Sequence, residues 1–257
     1  MEELVGGRVE AIYRHGDHVV RPRNDWTPSV HQLLKHYQEE GVVETPNVLG
    51  ISSESETLSF VEGDTYNYPL TGAIASQTAI MSAGVILRKL HDVSTSFVKN
   101  HNLDNMIWML PKVDPVQVVC HGDFTPYNVA LNGDKVIGVF DFDTAHPGSR
   151  LWDVAFSIYC WAPFKTDEND KLGTIEQQTA RAKLFCDSYG LSEEGRLQLV
   201  DTIVFRLQSL VDYMFAEAKA GNLQFQRNMS DGHHLAYLED IEYLTEHRKE
   251  ITERVLS

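Results

Sequence analysis

Apolar and polar positions are spaced differently in the two parts of the chain. Near the start, the β-forming runs Val9 to Tyr13 and His18 to Arg21 flank the turn residues His15-Gly16-Asp17, which predicts a hairpin. Helical spacing then covers about Ser29 to Glu40 and stops at Gly41. Two further apolar runs, Val48–Ile51 and Leu58–Val61, predict strands, with the polar segment Ser52–Glu56 turning between them. After Val61 the texture changes. EGDTYNYPLTG is rich in turn formers and reads as a connection. Beyond it Ile80, Ala83, Leu87 and Leu90 recur three and four apart, predicting a helix over about Gly72 to His91. From about Thr174 onward the pattern is helical. Val200, Val204, Leu207, Val211, Met214 and Ala218 form one stripe, with Gly221 just past its end. Tyr237, Ile241, Leu244, Ile251 and Val255 form another, read as the last helix. Both stripes are read as core-facing surfaces.

One stretch breaks this simple patterning. Residues 119–143 read VCHGDFTPYNVALNGDKVIGVFDFD, with polar residues set among strongly apolar flanks. Val129-Ala130-Leu131 and Val136 to Phe140 are strand-like, and Asn132-Gly133-Asp134-Lys135 supplies the turn. Folding that hairpin with Leu131 opposite Val136 puts Asn128 opposite Val139. Asp141 then extends just beyond, at the same open end. An amide oxygen and a carboxylate brought to one point suit Mg²⁺, with water and phosphate completing the shell. Asp123 precedes Asn128 in a segment broken by Gly122 and Pro126. From there it can present a carboxylate beside the metal pair, orient a hydroxyl and accept its proton.

Composition narrows the classes. At 257 residues, 42% apolar and 23% charged, the chain suits one large domain or two small lobes of a globular protein. A formal net charge of −15 argues against an extended nucleic-acid surface, so no nucleic-acid partner is expected. Cys120, Cys160 and Cys186 are far apart and lack a C-x-x-C spacing, which argues against a disulfide framework or a structural zinc site. The N-terminus lacks the charge and apolar pattern of a signal peptide, and no apolar run approaches the ~20 residues of a membrane span. A cytoplasmic location with no membrane partner is therefore expected. His233-His234 point about 100° apart on a helix and are read as a helix start. Trp152, Tyr159, Trp161 and Phe164 suit either core or pocket wall.

The segment His121-Gly122-Asp123-Phe124-Thr125-Pro126-Tyr127-Asn128 resembles the catalytic loop of the aminoglycoside phosphotransferase family, small-molecule kinases with a protein-kinase-like fold. Asp141-Phe142-Asp143 stands where D-F-G stands in protein kinases. Gly148 to Ala155 looks like the G-x-x-x-x-D-x-A segment that follows it. Leu87-Arg88-Lys89-Leu90-His91 and Phe60-Val61-Glu62-Gly63 match the family more weakly. The resemblance implies that Asp123 is catalytic, that His121 braces the loop, and that Asn128 and Asp141 hold Mg²⁺. Asp153 would order the loop by accepting hydrogen bonds. Asp143 could touch metal, solvent or only the local backbone. The backbone of Phe60, Val61 and Glu62 would form the edge that binds the purine of ATP or GTP. The acceptor would lie against the C-terminal helical part, where Asp231, His233, Tyr237 and Glu239 could line it. His146 could face the acceptor or cap a turn.

The small lobe departs from the family pattern. Alignment puts Arg21 where the family has a phosphate-binding lysine, and His31 near the position of the glutamate that pairs with it. Arg21 could serve as a phosphate contact or stand as a surface arginine. His31 is read as structural, and Glu39 and Glu40 lie too far along the helix to substitute. Gly6-Gly7-Arg8 would form the loop over the nucleotide.

The resemblance implies an α+β, bilobal protein-kinase-like fold: a β-rich nucleotide-binding lobe over 1–62, and a mainly helical catalytic and acceptor-binding lobe over 63–257 with an embedded hairpin. It also implies Mg²⁺-dependent transfer of the γ-phosphoryl of ATP or GTP to a hydroxyl of a small molecule. The substitutions at Arg21 and His31 motivate an alternative, a nucleotide-binding regulatory module with impaired transfer. A metal-dependent hydrolase built on the same acids is a third reading. Neither the acceptor nor the oligomeric state has a sequence signature.

Overall fold

A computed structural model of the protein describes residues 2–4 and 12–257. Its first sheet contains β1 (Glu2–Leu4), β2 (Ile12–His15), β3 (His18–Pro22), β4 (Val48–Ile51) and β5 (Ser55–Ser59), with helix α1 (Thr27–Glu39) between β3 and β4. Helix α2 (Gln77–Asn100) and strand β6 (Val118–Cys120) lead to the hairpin β7 (Val129–Asn132) and β8 (Lys135–Val139). Strand β9 (His146–Gly148) then pairs back with β6. The remainder is helical: α3 (Arg150–Trp161), α4 (Ile175–Tyr189), α5 (Glu193–Lys219), α6 (Leu223–Ser230), α7 (His233–Glu246) and α8 (Arg248–Leu256). This is the expected β-rich part followed by a mainly helical part with an embedded hairpin. Gly6-Gly7-Arg8 lie outside the described residues.

The five-stranded sheet is antiparallel in the order β1-β2-β3-β5-β4. Its register sets Val20 against Thr57 and Arg21 against Glu56. Directly opposed residues share a face of the sheet, so Arg21 and Glu56 are side-chain neighbours. The turn expected over 52–56 is shorter. Ser52 Oγ accepts from the backbone N–H of Ser55 at 2.9 Å and of Glu54 at 3.2 Å, and Ser52 N–H donates to Ser55 O at 2.8 Å. This compact serine turn lets β5 begin at Ser55 and moves Glu56 into the strand.

Two helix boundaries also differ from expectation. The hydroxyl of Ser76 caps α2 by accepting from Ala79 N–H at 3.0 Å, so the helix starts at Gln77 and runs past His91 to Asn100. Residues 72–75 form a separate 3₁₀ turn. The last stripe is divided at His247 between α7 and α8, whose buried residues Leu244 and Ile251 still face the same core.

A single buried apolar cluster joins the sheet side to the helical side. It includes Val30, Leu33, Leu34 and Tyr37 of α1, Ile80 and Leu87 of α2, Val129, Leu131, Val136 and Val139 of the hairpin, Trp161 of α3, Phe185 of α4 and Ile203 of α5. Each fully buried aliphatic or aromatic side chain contributes about 1.5–3 kcal/mol, so α1 is fastened to the helical part by its inner face. The hairpin is pinned on both edges. Asp64 and Leu131 exchange backbone hydrogen bonds of 2.8 and 2.9 Å, and Val139 N–H donates to Glu44 O at 2.8 Å. Gly138 permits the lobe connection to lie against β8, since a Cβ there would stand 2.2 Å from Val61 Cγ1. Among the described residues, no helix is long and apolar enough to cross a membrane.

Candidate active site

The loop from His121 to Asn128 leaves β6 without pairing into a strand, so its backbone groups need other partners. Several of them are met by side chains from elsewhere in the fold. Asp153, buried in the first turn of α3, accepts from His121 N–H at 2.7 Å and Gly122 N–H at 2.9 Å, and its Oδ2 also meets His91 Nε2 at 3.0 Å. These donors hold the Asp153 carboxyl down at about 2 despite burial. Thr144 Oγ1 donates to His121 O, Arg206 to Gly122 O at 3.3 Å, and Trp161 Nε1 to Phe124 O at 3.1 Å. Gly122 has φ of +81°, and a Cβ there would meet Thr144 O at 2.3 Å, so a larger residue does not fit.

His121 fixes the loop to the end of β8. Its Nδ1 accepts from Asp123 N–H at 3.3 Å, which makes Nε2 the donor to Phe140 O at 3.0 Å. Its ring lies 4.5 Å from that of Phe142. Burial pushes the imidazole pKa down, in keeping with the neutral tautomer these bonds require.

Asp123 is half-buried at the loop's apex. Asn128 Nδ2 donates to both its Oδ2, at 2.9 Å, and its backbone O, at 3.0 Å, and Tyr127 OH donates to Oδ1 at 3.1 Å. Burial and the neighbouring Asp141 nevertheless raise its pKa to about 6, against the hydrogen bonds and Arg206. A carboxylate poised close to neutrality is suited to accept a proton. Because Asn128 turns its NH₂ toward Asp123, its Oδ1 is left as an oxygen donor without a hydrogen-bond partner among the described residues.

Asp141 follows β8 in the left-handed region, with φ of +61°, the one non-glycine residue at positive φ among those described. Its carboxylate is 43% exposed. Opposite it, the sheet projects Arg21, whose guanidinium meets Asp141 at 3.4 Å, Asp143 at 2.8 Å and Glu56 at 2.7 Å. Glu56 is 1% exposed, and its second oxygen meets His31 Nε2 at 2.5 Å. Three carboxylates thus surround one guanidinium, and among the described residues acids outnumber arginines and lysines in this cluster beside the exposed oxygens of Asp141.

Among the described residues, no three His, Cys, Asp or Glu side chains form a ready-made metal cage. Asn128 and Asp141 offer hard oxygen donors in an acidic setting. That donor set fits Mg²⁺, which is bound through one or two protein oxygens together with phosphates and water.

Residues 100–185 match the family described as "Phosphotransferase enzyme family". The trifolitoxin immunity protein of Rhizobium leguminosarum bv. trifolii is 30% identical over 210 residues, covering 78% of each chain. The chain belongs to the phosphotransferase enzyme family. Its class is that of a small-molecule phosphotransferase. Solved structures share its fold. A choline/ethanolamine kinase family protein from Mesorhizobium loti superposes with a TM-score of 0.61 at 14% identity, covering 99% of this chain and 92% of the other. The gentamicin–APH(2")-IIa complex gives 0.62 at 12% identity, covering 97% and 92%. The streptomycin–ATP–APH(2")-IIa ternary complex gives 0.52 at 13% identity, covering 87% and 90%.

Within this phosphotransferase the expected site residues separate into two groups. His121, Asp123, Asn128, Asp141, Asp143 and Arg21 are gathered around the space between the sheet and the loop. Arg21 is 12% exposed and fully engaged, so the surface-arginine reading is corrected. Phe60, Val61 and Glu62 cross from the sheet to the helical part beside β8. Phe60 N–H is taken by Asp17 O at 2.7 Å, while the backbone groups of Val61 and Glu62 have no backbone partner among the described residues. The second group, His146, Asp231 and Glu239, does not join those contacts. His146 is buried, with Nδ1 donating to Thr144 O at 2.8 Å and Nε2 accepting from Trp152 Nε1 at 3.1 Å, so neither ring nitrogen remains for an acceptor. Asp231 and Glu239 are exposed on the outer side of α6 and α7. The buried acid of α7 is Asp240, which receives Tyr159 OH at 2.6 Å and Thr166 N–H at 2.7 Å.

Two participants lack a sequence signal. Glu56 falls where a turn is expected. Arg206 sits between the rings of Trp152 and Phe156, at 5.1 and 4.6 Å, and brings a buried positive charge to the loop from a helix whose apolar stripe gives no hint of it.

Proposed function

We propose that the protein transfers the γ-phosphoryl group of ATP or GTP to a hydroxyl of a small molecule, with Asp123 as the residue that orients the hydroxyl and accepts its proton. The observation that carries this reading is the half-buried Asp123 carboxylate, held by Asn128 and Tyr127 and raised to about 6, facing an Arg21–Asp141–Asp143 cluster. Asn128 and Asp141 would hold Mg²⁺, which supplies charge neutralisation of the phosphates. Arg21 would contact phosphate oxygens through its planar fork. The open backbone edge of Val61 and Glu62 suits a purine. His121 and Asp153 act by fixing the loop, so positioning and charge carry the rate with no covalent intermediate on the protein.

Aminoglycosides and amino alcohols are acceptor candidates from the fold's relatives. The Rhizobium relative is named for immunity to a toxin, and phosphorylating a toxin's hydroxyl is one chemistry that gives protection. The test is a panel of aminoglycosides, amino alcohols, hydroxyamino acids and hydroxyl-bearing antimicrobial toxins with γ-labelled ATP and GTP. Label appearing in an acceptor supports the proposal. Nucleotide binding with no transfer to any acceptor favours the regulatory module, and release of labelled phosphate without acceptor favours a hydrolase.

A further inference from the structure

Arg21 and Glu56 are directly opposed in the antiparallel pair β3–β5. Their contact is therefore a property of the sheet. The guanidinium gives Glu56 its Nε, at 2.7 Å, which leaves its two terminal nitrogens on the side of Asp141 and Asp143. Those two nitrogens are the edge that grips a phosphate bidentately. Glu56 is buried, and its oxygens are divided between Arg21 and His31. Among the described residues, helix α1 reaches this cluster through His31, which touches the far oxygen of Glu56 and not Arg21. Its other contacts lie away from the cluster: apolar side chains join it to the common core, and His36 meets Val93 O and Ser96 of α2.

We propose that Glu56 is the positioning residue for Arg21: the phosphate-facing cation is oriented by its cross-strand neighbour in the sheet, and helix α1 supports that neighbour from behind. Glu56 thereby performs from β5 the orienting task for which His31, on the helix, lacks a carboxylate. The inference rests on nucleotide binding as proposed above. It has a consequence for regulation: a shift of α1 would not by itself detach Arg21 from its acid.

The test measures dissociation constants by calorimetry, with Mg²⁺ present, for whichever of ATP and GTP the wild type prefers and for the matching nucleoside. Glu56→Gln is expected to weaken triphosphate binding by at least about tenfold while the nucleoside stays within about twofold, in line with loss of a charge-assisted contact. His31→Asn is expected to cost about two- to threefold, because it acts one contact further away. In an Arg21→Met background, Glu56→Gln should add little. Triphosphate binding by Glu56→Gln equal to wild type overturns the proposal, as does a larger loss from His31→Asn than from Glu56→Gln. Should Glu56→Gln fail to fold, Glu56→Asp keeps the charge and shortens the arm. A selective tenfold triphosphate loss then supports the role, and an unchanged constant overturns it. A wild type that binds neither nucleotide removes the phosphotransferase mechanism together with this role, whereas wild-type binding with an indifferent Glu56 removes this role alone.

Discussion

The two charged clusters that face each other across the site are held by different means. On the loop side, the buried acid Asp153 is satisfied by backbone N–H groups and a histidine, and the loop's carbonyls are met by Thr144, Arg206 and Trp161. On the sheet side, Arg21, Glu56, His31, Asp141 and Asp143 are held by one another's side chains. Backbone donors fix a shape and cannot rotate away. Side-chain partners fix a charge balance and can exchange for a ligand. The loop cluster thus keeps Asp123 in place, and under the proposed function the sheet cluster would accept phosphate and cation.

Breaking each cluster should therefore give different signatures. Asp153→Ala strands two buried backbone donors and His91, and is expected to lower stability by about 3–5 kcal/mol with near-complete loss of transfer. Urea unfolding and a transfer assay check this. The same carboxylate sets an acid limit. Its folded pKa, about 2, lies below the ordinary aspartate value of 3.8, so its stabilisation is present above about pH 4 and is lost as pH falls toward 2. Arg21→Met leaves Glu56 buried with His31 alone, at an expected cost of about 3 kcal/mol. Unlike Asp153→Ala, it should spare the loop, so nucleoside binding in the variant stays close to wild type.

Asp123→Asn should move stability the other way. The Asp123 pKa is raised to about 6, so its ionised form is disfavoured in the fold above that pH. The ligand-free variant is expected to gain up to about 3 kcal/mol at pH 7, fading to nothing below about pH 4, as followed by thermal melts across pH. Transfer by the wild type should likewise fall below about pH 6 as Asp123 takes up a proton. Gly138→Ala is the mildest change. The atom it crowds is a terminal methyl of Val61, and a cost of about 1–2 kcal/mol is expected, with a small rise in the KM for nucleotide.

The same contrast explains what the sequence makes legible. The loop cluster is encoded locally. His121, Asp123 and Asn128 stand within eight residues, and the two-strand hairpin that returns Asp141 has clear turn chemistry, but counting from Leu131 opposite Val136 misplaces its open end by one residue: a bulge between Ala130 and Leu131 sets Val139 opposite Val129, and Asn128 O instead accepts from Phe140 N–H at 3.0 Å. The sheet cluster depends on the register between β3 and β5, which is set by where the Ser52 turn closes. A shift in the start of β5 is enough to take Glu56 from an apparent turn to the position facing Arg21. Arg206 was hidden for another reason: a buried arginine among the apolar residues of α5 looks like an interruption of a stripe until Gly122 and the Trp152 and Phe156 rings are brought beside it. For His146 the sequence left two readings open, and its bonds to Thr144 O and Trp152 fit the one in which it holds a turn.

The most direct test follows labelled γ-phosphate from nucleotide to acceptor in wild type and Asp123→Asn side by side, with the nucleotide dissociation constant measured on both. The expected result is transfer by wild type and a loss of about 10²–10⁴-fold in the variant, with nucleotide affinity held within about threefold. Equal transfer by the two proteins would contradict the role given to Asp123 and the mechanism built around it.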